Sequence, residues 1–220
     1  ARFVFGPDDI VIAVGQDGLV ANVAKYLKGQ TVIGVDPAPG SNAGILVRFR
    51  IEQLEASLIA AHERKLTIEP RVMAEATLDG GETLLALNEI FIGHRTHQSA
   101  RYTIRDGDFT ERQSSSGLIV STGTGLTGWA SSILNATGRK LDVAPTRPEL
   151  GYLVREAWPG PGVGTSLVGV ARHLPERSRE GKVGGTFGRR HQAHGTAEAE
   201  AAAAGGLVPA RVRGLGQRIG

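Results

Sequence analysis

Three stretches of this chain combine residue types that can do chemistry. Gly15-Gln16-Asp17-Gly18 sets two glycines around a carboxylate directly after the apolar run Ile10-Val11-Ile12-Ala13-Val14. Glycines let backbone N–H groups approach phosphate oxygens, and a carboxylate among phosphates serves chiefly to hold Mg²⁺ or to accept a proton from an attacking hydroxyl. The same four residues also fit a plain turn in which Asp17 tolerates left-handed geometry or caps the next helix. Asn88-Glu89 stands between Leu84-Leu85-Ala86-Leu87 and Ile90-Phe91-Ile92. Polar residues buried there need partners, and side chains that donate and accept suit ribose hydroxyls; the alternative is ordinary alternation with Glu89 facing solvent. The third stretch, Ser114 to Trp129, is dense in glycine and hydroxyl groups and ends on an aromatic. Its N–H and hydroxyl groups suit ribose or phosphate and Trp129 suits stacking on a base, although a Gly/Ser/Thr loop before a helix anchored by a core tryptophan reads equally well.

The elements that position these residues follow from hydrophobic pattern. Asp8 to Val14 predicts a buried strand, Leu19 to Leu27 a helix, and Thr31-Val32-Ile33-Gly34-Val35-Asp36 a second strand, together a parallel crossover unit. That unit puts the Gly15–Gly18 turn at the carboxyl end of a parallel strand, where open α/β sheets bind ligands and a following helix presents its positive end. Glu52 to Arg64 predicts an amphipathic helix. Beyond it, Arg71–Leu78, Thr83–Ile92, Ala100–Ile104, Phe109–Gln113 and Leu118–Ser121 read as strands between turn signals, with a short helix over Gly128 to Asn135. The predicted fold class is therefore α/β plus all-β.

Composition bounds the function. With no cysteine there are no disulfides or thiolate metal sites, and no run approaches the roughly 18 apolar residues of a membrane-spanning helix. A soluble, cytoplasmic protein with no membrane partner is expected. The six histidines show no ligand spacing, since His94/His97 and His191/His194 fall outside expected helices, so no metal site is assigned to the chain. The net charge of +3 is uneven: residues 171–220 hold nine Lys or Arg against four Asp or Glu, leaving 16 basic and 18 acidic residues before them. The basic balance comes from the tail, and no nucleic-acid partner is expected. That tail has ten glycines and few large apolar residues, which predicts disorder, or a loose helix over Thr196 to Ala204.

Taken in order, the motifs resemble those of the NAD kinase family, and its mitochondrial-type branch more closely than the common bacterial type. Gly15-Gln16-Asp17-Gly18-Leu19 resembles a motif of two glycines, aspartate, glycine and threonine, with Gln16 and Leu19 as departures. Asn88-Glu89 is the Asn-Glu motif, and the glycine-rich motif ends in Thr127-Gly128-Trp129 where a small residue and tyrosine are usual. Trp129, Ser115-Ser116-Gly117-Leu118, Asn88 to Gly93 and Val32 to Pro37 carry the lean toward the mitochondrial-type branch; the common bacterial type has an aspartate where Ser116 stands. The resemblance runs from Asp8 to Val170, and includes Arg155-Glu156-Ala157-Trp158 and Gly164-Thr165-Ser166-Leu167.

The resemblance implies a partial Rossmann-like α/β nucleotide-binding domain over residues 1–50, a β-sandwich-like substrate-binding domain over 51–170, an active site between them, and a homodimer or larger homo-oligomer. It implies NAD as substrate, ATP (or polyphosphate) as phosphate donor and Mg²⁺ as divalent cation. Asp17 would be the base for the ribose 2′-hydroxyl, Gly15 and Gly18 would line phosphate, and Asn88 and Glu89 would hold the substrate. Thr127, Gly128, Trp129 and Ser132 match further substrate-contact positions. A kinase acting on another sugar or lipid hydroxyl, and a nucleotide-binding homologue without catalysis, are the alternatives. The start at Ala1 reads as a fragment or processed start, and residues after Val170 are expected not to be the family's C-terminus, through a reading-frame change.

Overall fold

The computed structural model describes residues 4–40, 44–78, 81–106, 109–157, 168–172, 197–200 and 210–219. The chain divides into two compact units, Ala1–Arg71 with Gly216–Gly220, and Val72–Leu215.

In the first unit, strand β1 (Ile10–Val14), helix α1 (Asp17–Ala24) and strand β2 (Thr31–Asp36) form the expected crossover, with β1 and β2 parallel and Ile10 opposite Thr31. A short strand β3 (Phe49–Arg50) adds in parallel to β2, giving the sheet order β1-β2-β3. Central β2 is buried from Val32 to Val35, which explains its unbroken apolar run. The expectation of a buried β1 holds for one face only: Val11 and Ala13 are inside, whereas Ile12 is 39% and Val14 44% exposed. Alternate side chains of a strand point to opposite faces, and the face of β1 that carries Ile12 and Val14 is the exposed one. Helix α1 begins at Asp17, earlier than the apolar spacing suggests, because Gln16 is extended (φ −90°, ψ 167°) and its carbonyl already accepts the Leu19 N–H. Val20 and Ala24 form its buried stripe; the helix ends at Ala24, short of the expected Leu27, which is buried beyond its end. A 3₁₀ turn over Ile51–Gln53 leads into α2 (Leu54–His62), where the Gln53 side chain accepts the Arg50 N–H at 2.9 Å and fixes the start.

The second unit is a sandwich. Strands β4 (Glu69–Leu78), β5 (Thr83–Ala86), β6 (Glu89–Ile92), β7 (Ala100–Asp106), β8 (Phe109–Ser115) and β9 (Gly117–Ser121) precede helix α3 (Trp129–Thr137). Strands β10 (Glu149–Arg155), β11 (Val168–Arg172), β12 (Ala197–Glu200) and β13 (Ala210–Ile219) follow it. They form a four-stranded sheet, β11-β10-β9-β6, and a six-stranded sheet, β5-β4-β13-β12-β7-β8. Ala74, Ala76, Tyr102 and Ile104 from the six-stranded sheet meet Ile92, Leu118, Val120, Leu150 and Tyr152 from the four-stranded one. The alternate residues Ile119 and Leu153 face the other way and pack against Ala130 and Leu134 of α3. Strand β9 is therefore buried on both faces, which its continuous Leu-Ile-Val run anticipates.

Two expectations are corrected here. The strand expected over Thr83–Ile92 breaks at Leu87-Asn88, and its halves enter different sheets. The loose helix expected around Thr196 to Ala204 is, over Ala197–Glu200, a strand paired with β7 and β13; ladder pairing on both sides overrides the helix preference of alanine. The remaining positions of the tail expected to be disordered lie outside the described residues, except β11 through Arg172 and β13.

Candidate functional site

The Gly15–Gly18 segment lies where β1 ends and α1 begins. The Gly15 N–H donates to the Val35 carbonyl at 2.9 Å and so extends the β1–β2 ladder. The N–H groups of Asp17 and Gly18 belong to the first helical turn, where the helix supplies no acceptor. Asp17 is half-buried, and its carboxylate reaches the segment before β3: Oδ2 accepts the Ile45 N–H at 2.7 Å, while Oδ1 accepts those of Leu46 at 3.0 Å and Val47 at 3.1 Å. A carboxylate offers about four acceptor positions; with those three contacts made, Oδ2 keeps room for one more. Arg71 is buried and pairs with Glu69 at 3.1 Å. Burial lowers its pKa from the ordinary guanidinium value, opposed by the negative charge of Glu69 and, less strongly, of Asp17.

In the second unit the Asn-Glu pair and the glycine-rich turn interlock. Glu89 lies opposite Ser121 in the antiparallel β6–β9 pairing. The Thr122 N–H donates to the Asn88 carbonyl at 2.9 Å, and the Thr122 hydroxyl to the Leu87 carbonyl at 2.6 Å. The same hydroxyl oxygen accepts the Gly125 N–H at 3.1 Å. Gly125 must lack a side chain, because a Cβ there would meet the Asn88 carbonyl oxygen and stand 2.5 Å from Ser121 Oγ. Asn88 thus sits where the chain crosses between sheets, pinned by its backbone with its side chain left over. Asn88 Oδ1, Glu89 Oε2 and Thr124 Oγ1 are buried and accept or donate no hydrogen bond.

Thr127, Gly128, Trp129 and Ser132 are exposed around the start of α3. The Thr127 hydroxyl donates to the Thr124 carbonyl at 2.8 Å, and the Ser132 N–H reaches the Gly128 carbonyl at 3.4 Å. Trp129 is 40% exposed, which removes the core-tryptophan reading. Its ring lies 5.7 Å from that of Phe91, tilted by 48°, and the Arg155 guanidinium carbon sits 5.2 Å from its centroid. Phe91 in turn lies over Gly117, whose φ of +137° and whose missing Cβ, which would be 2.5 Å from the ring, both require glycine.

No family model matches the chain. Curated NAD kinases do: among them, that of Methylococcus capsulatus is 32% identical over 152 residues, 64% of this chain and 51% of its own length. That of Chlorobaculum tepidum is 26% identical over 127 residues, 56% of this chain and 44% of its own. The chain spans about half the length of these relatives. The crystal structure of yeast NADH kinase complexed with NADH superposes with a TM-score of 0.62 over 96% of this chain and 60% of that one, at 14% identity. Over somewhat more than half of its length the chain is similar to NAD kinases. Its parallel α/β sheet followed by antiparallel sheets is that of an NAD kinase fold.

The motifs read from sequence form two groups, one in each unit. Sequence reading did not single out Thr122 as the joint, Thr124 as an unpaired hydroxyl, or Phe91, Arg155 and Glu156 as the surroundings of Trp129. No single position marks these residues, since they meet through β6–β9–β10 pairing alone. A cavity of 630 Å³ in the first unit, lined among others by Asp9, Gly29, Thr31, His62 and Arg64, lies at the amino ends of β1 and β2, away from Gly15 and Asp17. Among the described residues no group of three His, Asp or Glu is arranged to hold a metal ion, and no helix is long and apolar enough to cross a membrane.

Burial raises the Glu89 carboxyl above the ordinary carboxylate pKa. A carboxyl raised in the folded state stabilises the fold fully below its unfolded pKa, and that contribution is lost as pH rises through the folded value. Glu89→Gln is therefore expected to lose this pH dependence. Melting temperatures of both proteins from about pH 4 to 8 check it; parallel curves would refute the burial of an ionisable Glu89.

Proposed function

We propose that the chain transfers a phosphoryl group from ATP, or from polyphosphate, to the 2′-hydroxyl of the adenosine ribose of NAD, giving NADP. The observation that carries this reading is the buried trio of Asn88 Oδ1, Glu89 Oε2 and Thr124 Oγ1 without partners beside the interlocked turn. Buried polar atoms are normally paired, so three left unpaired on the segments that the Thr122 bonds join suit a ligand rich in hydroxyl groups. On this reading Asn88 and Glu89 hold the substrate, Thr127, Gly128 and Ser132 line it, and Trp129 stacks on its base. Gly15 and Gly18 keep the phosphate turn slim. Asp17 takes the hydroxyl proton through the acceptor position left on Oδ2, while the Ile45, Leu46 and Val47 N–H groups fix the carboxylate's orientation. Mg²⁺ brought with ATP would supply charge neutralisation at the transferred group, and no described residue is assigned to hold it.

Membership of the mitochondrial-type branch, assembly as a homodimer or larger oligomer, and a cytoplasmic location are part of the same proposal. Incubation of the purified chain with NAD and either ATP or polyphosphate, read as NADP formed, tests it. Absence of NADP with both donors, while NAD still binds by calorimetry, would sink it. That outcome would favour a nucleotide-binding homologue without catalysis, a reading supported by Gln16 in the phosphate turn and by an Asp17 carboxylate already engaged with three N–H groups.

A further inference from the structure

Around Trp129 lies a closed set of contacts that none of the roles above uses. The turn between β8 and β9 is held by hydrogen bonds: the Ser115 hydroxyl is buried, accepts the Gly117 N–H at 3.0 Å and lies 2.8 Å from the Tyr102 hydroxyl. Ser116 therefore has a fixed place, and its N–H donates to the Arg155 carbonyl at 2.9 Å. Its hydroxyl donates to Glu156 Oε2 at 2.5 Å. Glu156 Oε1 lies 3.6 Å from the Arg155 guanidinium, the group over the Trp129 ring. Glu156 also has a backbone φ of +48°, a left-handed conformation that a residue other than glycine adopts at a steric cost. Nothing in β10 pairing requires that conformation, since the ladder ends at Arg155. Its consequence is to turn a carboxylate back onto Ser116, beside an exposed aromatic ring.

We propose that Glu156 is a specificity-determining residue of the base subsite, the acceptor that selects a planar base bearing an exocyclic amino group when that base stacks on Trp129. This rests on the reading above that Trp129 receives the base. A base that takes the guanidinium's place on the indole leaves Glu156 Oε1 open to accept an N–H, and Ser116 holds the other oxygen. Adenine presents an amino donor at that edge, whereas hypoxanthine presents a carbonyl oxygen that a carboxylate repels. Arg155 balances the carboxylate in the free protein and is a positioning residue.

The test is calorimetric binding of NAD and of its hypoxanthine analogue to the wild-type chain, Glu156→Gln and Ser116→Ala, with melting curves to confirm folding. Because the Glu156 side chain is 70% exposed, the wild-type preference for NAD is expected to be modest, about tenfold. Glu156→Gln, whose amide both donates and accepts, is expected to bring the two dinucleotides within about twofold, with Ser116→Ala in between. An unchanged tenfold ratio in the folded variants, or a wild-type chain that binds both dinucleotides equally, overturns the role of Glu156 and leaves NAD phosphorylation standing. A wild-type chain that binds neither dinucleotide overturns both. Should Glu156→Gln fail to fold, the ratio in Ser116→Ala decides.

Discussion

Asp17→Asn is expected to lower NADP formation by at least about 10²-fold, the scale of a general base, and to destabilise the first unit as well. The second effect follows from the hydrogen-bond geometry. Oδ1 accepts from Leu46 and Val47 and Oδ2 from Ile45, so all three donors face a group that only accepts. An amide turns one of those oxygens into a donor. Whichever way it flips, at least one N–H meets an N–H, and the better flip sacrifices the Ile45 contact. Leaving one donor without an acceptor costs about 1–3 kcal/mol. The two effects separate experimentally, because turnover reports on the proton acceptor and thermal unfolding on the clamp. Full turnover in the variant would refute the base, and an unchanged melting temperature would refute the clamp. Retained NAD binding beside lost turnover would assign Asp17 to the chemical step rather than to substrate affinity.

The same residue shows what sequence makes legible. Gly15, Asp17 and Gly18 at the end of a parallel strand are readable, because strand, turn and helix are local and their periods differ. The engagement of Asp17 by Ile45 to Val47 is not, because it joins positions about thirty residues apart through backbone N–H groups that carry no residue signature. The second unit repeats the lesson. Its strands are legible from branched apolar runs and turn dipeptides, and β9 from its length and apolarity. The break at Leu87-Asn88 is hidden, because Thr83 to Ile92 reads as one strand until the Thr122 hydroxyl and N–H are seen to take up the two carbonyls there. Trp129 allowed two readings from sequence; its exposure decides against the core, since α3 buries Ala130 and Leu134 instead. In the tail, composition suggested disorder or loose helix, whereas partner strands organise Ala197–Glu200.

Gly125→Ala is expected to cost the second unit about 3 kcal/mol or more, combining overpacking with lost hydrogen bonds, and with it most NAD binding. The added Cβ would meet the Asn88 carbonyl oxygen, lie 2.6 Å from the Asn88 carbonyl carbon and 2.5 Å from Ser121 Oγ. None of these atoms is the end of a flexible side chain free to swing away: two are backbone, and Ser121 is fully buried with its hydroxyl donating to the Thr122 carbonyl at 3.0 Å. The turn over 121–125 must therefore lift from Leu87-Asn88. Lifting it strains the Thr122 hydroxyl bond to Leu87, the Thr122 N–H bond to Asn88 and the Gly125 N–H bond to Thr122. These bonds hold Asn88 at the sheet crossing, so its side chain loses its place together with the fold. Gly128→Ala provides the contrast, since the nearest atom to a Cβ there is the Gly125 carbonyl oxygen at 3.6 Å, an ordinary contact. Thermal unfolding and NAD calorimetry on both variants distinguish the cases. If Gly125→Ala melts and binds like Gly128→Ala, the interlocked turn is not what holds Asn88, and the unpaired trio loses its standing as a ligand site.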